Sequence, residues 1–297
     1  MVLLKRFLKK ILPPLVSEFY SLYLVNKSRK NFKSPYRYKV ALNEEELGDF
    51  ENSVWENVNW IKHAKHSLRE VKLTLDNFSL EKLSIHLKSL CFSYNIVRSV
   101  FSSKKINIFD VGGGVGICFP VLNNFCSLNN ALYTVVDSKT NIKEGKKEFK
   151  DFKIIEFLTF EEFNDKLRIR KKKLLKEVSI VYLSSTLQYI NDWKEFLLQL
   201  LKNINPHIVA IARFPVSINA KTQGFVIQDI TTPQGYCGCT KAILFKPNDI
   251  DKFMISNGYE IVYNFMGEKY DYFWDGCSDE QFKEVRAKAY IFIKKMT

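Results

Sequence analysis

The spacing of hydrophobic residues along the chain changes near residue 102. Before that point the chain is predicted to be helical over 44–60, 65–75 and 79–101, and in the last of these segments apolar residues recur every three or four positions. After it, short runs of β-branched and aromatic residues alternate with helical segments, a pattern typical of an α/β fold with a mostly parallel sheet. The predicted strands are 106–110, 132–136, 153–158, 178–183, 207–211, 225–230, 242–245, 259–265 and 288–293.

A glycine-rich turn follows the first of these strands. Residues 106–116 read I-N-I-F-D-V-G-G-G-V-G, so an apolar strand ends in an acid and glycines lead into the next apolar helix. Gly112, Gly114 and Gly116 tolerate positive φ angles and lack a Cβ, which lets the backbone approach a ligand closely. The turn therefore predicts a binding site for a small molecule.

The spacing of the turn is D-x-G-x-G-x-G, from Asp110 to Gly116. A dinucleotide fold requires G-x-G-x-x-G, whereas this chain has Ile117 where the third glycine would stand. The turn resembles the first motif of Rossmann-like methyltransferases that use S-adenosylmethionine, whose glycines lie under the methionine and ribose parts of the cofactor. A glycine-rich turn in another kind of α/β protein is the alternative. By the resemblance, the cofactor-binding residues of the turn are Asp110, Gly112, Gly113, Gly114 and Gly116.

Two further strand ends carry polar side chains. Asp137 follows the second strand, where a carboxylate can accept hydrogen bonds from both hydroxyls of a ribose, although it also suits the cap of a helix over 139–150. Ser184, Gln188 and Tyr189 follow the fourth strand, and side chains at such strand ends face the crevice in which open α/β sheets bind ligands. We place Ser184 and Gln188 against the cofactor and Tyr189 near the transferred methyl group.

The fifth strand is followed by Arg213, Phe214 and Pro215. An arginine at that place predicts contact with an anion or with the substrate, and an internal salt bridge is equally compatible. Neither a histidine nor a second carboxylate is placed by the sequence to act as a general base.

Four motifs together make the resemblance specific to one family of methyltransferases. They are a basic leader containing I-L-P-P, the D-V-G-G-G-V-G turn, the segment L-S-S-T-L-Q-Y-I, and R-F-P-V followed by a V-I-Q strand. From the leader to about residue 265, the chain resembles an uncharacterised family of methyltransferases found in bacterial surface-polysaccharide gene clusters.

This resemblance implies a Rossmann-like, seven-stranded methyltransferase sheet with an antiparallel last strand, and S-adenosylmethionine as cofactor. The methyl acceptor would be a hydroxyl or amine of a surface-glycan precursor, as a small molecule or linked to a lipid. Tyr189 and Arg213 would face that acceptor as catalytic residues. The chain departs from the family where Ala212 replaces an Asp, which removes that acid as a catalytic group, and where Asp137 replaces a Glu.

Positive charge is concentrated at the start of the chain. The 297 residues carry a formal net charge of +13, and residues 1–40 hold ten lysines or arginines against the single acid Glu18. Over residues 3–12 apolar side chains recur at helical spacing, and Pro13 then ends or kinks the helix. Such a helix suits an anionic membrane surface, with packing on protein as the alternative. Its apolar face comprises Leu4, Phe7, Leu8, Ile11 and Leu12, and its basic face Lys5, Arg6, Lys9 and Lys10.

The sequence predicts three parts: a leader over 1–40, a helical extension over 41–101, and a third part over 102–297 that the resemblance implies is a methyltransferase domain, with an inserted loop or hairpin at 216–241. Six cysteines without regular spacing favour reduced thiols and a cytoplasmic protein, peripheral on the inner face of the membrane if the leader binds lipid. The spacing of cysteine and histidine predicts no metal site.

Two other functions stay open at this point. A non-catalytic scaffold or binding subunit could keep the fold without the chemistry, and the basic composition is compatible with an RNA methyltransferase. We nevertheless do not expect nucleic acid as a partner. The chain contains no recognisable DNA- or RNA-binding module and no interleaved aromatic and basic residues.

Overall fold

The structure of the chain is a computed structural model that describes residues 40–41, 54–55, 57–75, 83–174, 177–231, 237–269 and 280–295. The predicted leader helix over residues 3–12 lies outside this part of the chain. Within it, every helix is too short or too polar to cross a lipid bilayer.

The described residues form ten strands in two sheets. The strands are β1 (Val40–Ala41), β2 (Ile106–Val111), β3 (Ala131–Val136), β4 (Ile155–Leu158), β5 (Val178–Ser184), β6 (Ile208–Ser217), β7 (Gly224–Thr231), β8 (Cys237–Leu244), β9 (Tyr259–Lys269) and β10 (Val285–Lys294). A small antiparallel sheet has the order β1-β7-β8, and the central seven-stranded sheet has the order β4-β3-β2-β5-β6-β10-β9. Strands β2 to β6 run parallel, whereas β10 runs antiparallel to both of its neighbours. The predicted Rossmann-like seven-stranded α/β sheet with an antiparallel last strand is confirmed.

The strand order reverses between β2 and β5. From β2 the chain moves outward through β3 and β4, then returns to the other side of β2 with β5 and moves outward again through β6. The loops that leave the carboxyl ends of β2 and β5 therefore diverge. They leave a crevice at the place where ligands of open α/β sheets bind.

Helices cover both faces of the central sheet. They are α1 (Val58–Thr74), α2 (Ile85–Val100), α3 (Cys118–Phe125), α4 (Lys139–Glu148), α5 (Phe160–Leu174), α6 (Trp193–Ile204) and α7 (Asp249–Ser256). Side chains of β2 alternate between the two faces: Ile106 and Ile108 join the core under α1 to α4, and Phe109 and Val111 join the core under α5 to α7. The result is a three-layered α/β/α arrangement.

The helices ahead of the sheet differ from their predicted bounds. A break between residues 60 and 65 is predicted, but α1 passes through it because Ile61, Ala64 and Leu68 continue one apolar face onto the core. The predicted start of the next helix, Ser79, lies outside the described residues. Helix α2 begins only at Ile85, since Ser84 has extended backbone angles and is its N-cap.

Strand β6 is longer than predicted. The sequence predicts its end before Arg213, but β6 continues to Ser217 because β10 pairs with it along its whole length. Ala212 pairs with Ala289 and Phe214 pairs with Lys288, so one extra residue is accommodated on β6. Arg213 is therefore the extra residue of a β-bulge.

The predicted insertion at 216–241 contains the end of β6, all of β7 and the start of β8. Strands β7 and β8 form an antiparallel hairpin in which Gly224 lies opposite Leu244. Phe282 packs against Gly224 and belongs to a small separate core with residues of this hairpin.

Candidate functional site

The glycine turn lies at the carboxyl end of β2, beside the reversal of strand order. Gly112, Gly114 and Gly116 have φ angles of +77°, +59° and +84°, a region that glycine alone enters without strain. The Gly112 N–H donates to the carbonyl of Val136 at the end of β3, at 2.8 Å. The turn is thus fixed to the neighbouring strand before α3 begins at Cys118.

Two glycines of the turn are required by close packing. A Cβ on Gly112 would lie 2.3 Å from Oγ1 of Thr186, and a Cβ on Gly113 would lie 2.5 Å from Oδ2 of Asp110. Both distances are shorter than any tolerated contact of a carbon atom, so a larger residue at either position would displace its neighbour. These glycines bring the turn close to protein groups on both sides.

Gly114 differs from the other glycines of the turn. No described atom lies within 4 Å of the place that its Cβ would occupy, whereas a Cβ on Gly116 would lie 3.1 Å from the ring of Phe157. The open side of the turn is therefore at Gly114. This is the position at which the backbone can receive a ligand.

Asp137 lies in direct contact with Gly114. Its Oδ2 accepts the Gly114 N–H at 2.7 Å, and its Oδ1 accepts the Ser138 N–H and the side-chain amide of Asn141, each at 2.7 Å. A carboxylate offers about four lone-pair sites, so about one remains for a ligand. Binding of both ribose hydroxyls, as predicted, requires one of the three protein bonds to open.

The alternative prediction for Asp137, a cap for the helix that follows, is not what the structure shows. The N-cap of α4 is Ser138, whose side chain makes no capping hydrogen bond, and α4 ends at Glu148 rather than at residue 150. The Asp137 carboxylate instead joins the first helical turn to the glycine turn.

Two buried polar atoms beside Asp137, Oγ of Ser138 and Oδ1 of Asn141, have no hydrogen-bond partner among the described residues, and neither does Oε1 of Gln188 in the segment after β5. Asn141 is 3% exposed and Gln188 is 5% exposed. A buried acceptor without a donor costs about 1–3 kcal/mol, and such atoms in native proteins call for an explanation. All three can accept a hydrogen bond, which suits a ligand rich in O–H and N–H donors.

Asp110 is buried beneath the turn, with 1% of its surface exposed. Burial raises its pKa to about 7, the hydrogen bond that it accepts from the Tyr133 hydroxyl (2.6 Å) lowers the pKa, and the charge of Asp137 raises it. The carboxyl group therefore changes its charge near neutral pH. Its contacts are with Tyr133 and with the backbone at Gly113, so within the described residues it supports the turn from below.

The segment after β5 forms the other wall of the crevice. Oγ1 of Thr186 donates to the Val111 carbonyl at 3.0 Å and lies against Gly112. Ser184, at the end of β5, is half-buried, and Gln188 lies in a short 3₁₀ turn over Leu187–Tyr189. The contacts of Ser184 and Gln188 with a cofactor stay predictions.

Tyr189 lies on the outer side of that 3₁₀ turn. Its hydroxyl donates to Oε1 of Gln228 on β7 at 2.8 Å, and its ring centroid lies 4.7 Å from that of Trp55. Trp60 continues this aromatic surface at 4.9 Å from Trp55. The Tyr189 hydroxyl is thus already engaged with β7, and its predicted catalytic role would require that bond to be exchanged.

Arg213 is exposed at the β6 bulge, and its charge acts on the side chains of two neighbouring elements, His86 of α2 and Cys118 of α3. Burial lowers the pKa of His86 to about 3, and the charge of Arg213 contributes to that shift. The backbone carbonyl of His86 accepts the Tyr182 hydroxyl at 2.8 Å. The structure therefore places a neutral histidine beside the crevice. The sequence alone does not predict a histidine there.

Three residues of the crevice are missed by sequence reasoning. Asn141 is four residues after Asp137, and this spacing on one helical turn is a signal that could have identified it. His86 and Trp55 belong to the helical extension and contact residues that are far away in sequence, as with the 96 positions between His86 and Tyr182. No local pattern marks these two.

No protein-family model matches the chain, and no curated protein is significantly similar to it in sequence.

The fold is similar to those of several solved methyltransferases. One is an S-adenosylmethionine-dependent methyltransferase from Clostridium acetobutylicum, with 12% identity over 78% of this chain and 100% of that one and a TM-score of 0.43. A second, from Aquifex aeolicus, has 13% identity over 72% of this chain and 98% of that one, with a TM-score of 0.39. Human N-acetylserotonin methyltransferase in complex with S-adenosylmethionine has 12% identity over 94% of this chain and 68% of that one, with a TM-score of 0.41. At these identities and TM-scores, the likenesses assign no activity, cofactor or acceptor to this chain.

Proposed function

We propose that the protein is an S-adenosylmethionine-dependent methyltransferase. The observation that carries the proposal is the junction of the glycine turn with Asp137. There Gly114 has an open side and its N–H is bound to the Asp137 carboxylate, at the carboxyl ends of adjacent parallel strands. This is the place in the fold where the D-x-G-x-G-x-G resemblance puts the cofactor.

The residues at this junction fit the proposed cofactor chemically. S-adenosylmethionine presents ribose hydroxyls and an ammonium group, all of which donate hydrogen bonds. The junction offers acceptors: the remaining lone pair of Asp137 and the buried side-chain oxygen of Asn141. The negative charge of Asp137 also suits a ligand that carries a positive sulfonium.

When bound, the cofactor supplies an electrophilic methyl group on sulfur. The protein then has to hold the acceptor in line with that group, exclude water and take up a proton. His86 is neutral at pH 7, since burial and the charge of Arg213 keep its pKa at about 3. A neutral imidazole can accept a hydrogen bond from an acceptor hydroxyl or amine and so orient it.

The acceptor is proposed to be a hydroxyl or amine of a surface-glycan precursor, a choice that rests on the family resemblance alone. The leader helix over residues 3–12 would then bring the enzyme to the inner face of the membrane, where a lipid-linked precursor is presented. A chain without residues 1–30 tests this part. Loss of binding to anionic liposomes with retained folding would support it, and loss of RNA binding would favour an RNA methyltransferase instead.

Calorimetric titration of the purified chain with S-adenosylmethionine, S-adenosylhomocysteine and NAD tests the core of the proposal. We expect saturable binding of the first two compounds at one site per chain, and no binding of NAD. Binding of NAD alone would identify a dinucleotide protein, and a folded chain that binds none of the three would support the scaffold alternative.

The chain offers a matched pair of glycine variants for this titration. Gly114 and Gly258 both have positive φ angles (+59° and +85°), and no described atom lies within 4 Å of either Cβ position. Replacement by Ala introduces the same kind of backbone strain, about 1–2 kcal/mol, but only Gly114 lies at the crevice. We expect Gly114→Ala to abolish cofactor binding and Gly258→Ala to preserve it.

A further inference from the structure

Arg213 occupies a position that its own backbone disfavours. It is the extra residue of the bulge between β6 and β10, and its φ angle is +56°. Bulges of this kind usually carry glycine in the left-handed conformation. An arginine there is strained, and bulges next to active sites commonly redirect a side chain.

A second strained residue lies beside the bulge. Ser185, directly after β5, has a φ angle of +54°. Its N–H donates to the Ala212 carbonyl at 3.0 Å, and its Oγ donates to the Arg213 carbonyl at 3.2 Å. The ends of β5 and β6 are therefore held together by two residues in a conformation that favours glycine, at the edge where the crevice opens. Strain that the surrounding structure maintains in this way points to a function of the side chain.

Arg213 directly follows Ala212, which pairs with Ser184 at the carboxyl end of β5, and helix α2, which begins beside His86, packs on β6. Its charge acts on His86, at the start of α2, and on Cys118, which directly follows the glycine turn at the start of α3. Both residues belong to the layer of helices that covers the face carrying Asp110 and Tyr182. The positive charge of Arg213 therefore acts on the first residues of two helices that begin beside the crevice.

His86 is suited to be the neighbour of a bound anion. Its backbone is fixed by the hydrogen bond from Tyr182 at 2.8 Å, and its ring lies within 3.4 Å of Ser84 Oγ. Because the imidazole is neutral, it adds no positive charge and can donate or accept one hydrogen bond at each nitrogen. Arg213 supplies the charge, and His86 supplies a directional polar contact.

We propose that the methyl acceptor carries an anionic group, a carboxylate or a phosphate, and that Arg213 at the β6 bulge binds this group beside His86. The inference rests on the proposed function, since it names the class of acceptor for the same crevice. A planar guanidinium binds either oxyanion through two parallel hydrogen bonds. It thereby fixes the distance between the anion and the reacting hydroxyl or amine.

The experiment uses the four histidines of the chain as reporters. Imidazole signals of the full-length protein are recorded by NMR at neutral pH during titration with inorganic phosphate and, separately, with acetate. Sodium chloride holds the ionic strength constant. The signal of His86 is assigned as the one that is missing from the spectrum of the His86→Gln variant. We expect the His86 signal to shift saturably with at least one of the two anions. The anion that binds with the higher affinity identifies phosphate or carboxylate as the preferred group.

Arg213→Gly is the decisive variant, because it removes the guanidinium and relieves the backbone strain. We expect the His86 response to weaken by about tenfold or more, with an unchanged or higher midpoint of urea unfolding. Asn130→Gly is the matched control: Asn130 also has a positive φ angle (+61°), in the turn before β3, and its replacement should leave the response intact. Arg213→Lys keeps the charge without the planar fork, and should give an intermediate response.

A His86 signal that neither anion moves in the wild-type protein would overturn the proposal, as would an equal response in Arg213→Gly. The cofactor titration separates this result from the proposed function. If the cofactor binds and the His86 signal does not respond to either anion, only the proposal of an anionic acceptor is contradicted. An anion response without cofactor binding contradicts the methyltransferase and leaves the anion site in place.

Discussion

The two walls of the crevice are built in different ways. The cofactor wall, formed by the glycine turn, Asp137 and Asn141, is held by hydrogen bonds between groups at most 24 positions apart, as between Gly112 and Val136. The acceptor wall, formed by His86, the segment after β5 and the β6 bulge, is held by contacts such as Tyr182 with His86, 96 positions apart. The residues of the first wall all lie within 110–141 and pack against Thr186, whereas the second wall exists only after the whole sheet and its covering helices have formed.

This difference has consequences for stability and for function. Groups of the cofactor wall both shape the turn and receive the ligand, so their replacement should affect folding and binding together. Side chains of the acceptor wall can be changed with smaller effects on folding, because β6 and α2 are held by extensive packing elsewhere. Four variants or sets of variants test this contrast, from the largest expected effect to the smallest.

Gly112→Ala should destabilise the protein most. The new methyl group would lie 2.3 Å from Oγ1 of Thr186 at a φ angle of +77°, so left-handed strain and overpacking add to about 2–5 kcal/mol of unfolding free energy. Urea unfolding measures the loss. Gly258→Ala is the control, since its φ angle is +85° with no described atom within 4 Å, and it should lose only the strain, about 1–2 kcal/mol. Equal losses in the two variants would show that the turn is not tightly packed.

The two walls should make opposite contributions to the pH dependence of stability. Burial raises the pKa of Asp110 to about 7, whereas the pKa of an aspartate in the unfolded chain is about 3.9. Between these two pH values the native state binds more protons than the unfolded state. The contribution of Asp110 to stability therefore falls as pH rises through this range. Burial, with Arg213, lowers the pKa of His86 to about 3, so up to about pH 6.5 stability rises with pH. Each slope approaches about 1.4 kcal/mol per pH unit.

Single variants separate these opposing contributions. Between pH 4 and 6.5, the free energy of unfolding of Asp110→Asn should rise with increasing pH more steeply than that of the wild type. Over the same range, the free energy of unfolding of His86→Gln should fall with increasing pH. Urea unfolding at several pH values measures both. Parallel pH profiles for all three proteins would mean that neither group has a shifted pKa in the folded state.

Asp137→Asn should weaken cofactor binding by about tenfold to a hundredfold, because a charged hydrogen-bond acceptor contributes about 1.5–3 kcal/mol. The variant keeps an oxygen that can accept the Gly114 N–H but loses the acceptor for Ser138 and Asn141, so urea unfolding should show a smaller loss of stability beside the weaker binding. Calorimetric titration with S-adenosylhomocysteine gives the affinity. Unchanged affinity would remove Asp137 from the cofactor wall.

Tyr189→Phe should have the smallest effect. The change removes the hydrogen bond to Gln228, about 0.5–1.5 kcal/mol, and keeps the ring against Trp55. Cofactor affinity should be the same as in wild type, while KM for the acceptor rises several-fold. Loss of all turnover at normal KM would instead assign the hydroxyl a direct role in proton transfer.

The contrast also explains what the sequence could predict. The sheet follows from short apolar runs that alternate with helices, and the positive φ angles of Gly112, Gly114 and Gly116 follow from glycine spacing. That only Gly114 has an open side does not follow, because the groups that fill the space beside the others come from distant segments, as Thr186 does beside Gly112.

The sequence places Tyr189 and Arg213 toward the acceptor, but it does not predict the bulge or His86, for the same physical reason. The β6 bulge arises from pairing with β10, and nothing in R-F-P-V predicts a left-handed arginine. Likewise, the neutral state of His86 depends on burial by elements that meet it only in the folded chain. The leader helix over residues 3–12 and the surface-glycan acceptor stay predictions.

The most direct test of the central claim is the titration of wild-type, Gly114→Ala and Gly258→Ala proteins with S-adenosylmethionine. We expect one saturable site per chain in the wild type and in Gly258→Ala, and none in a folded Gly114→Ala. Equal binding by both variants, or no binding by the wild type, would contradict a cofactor site on the open side of Gly114.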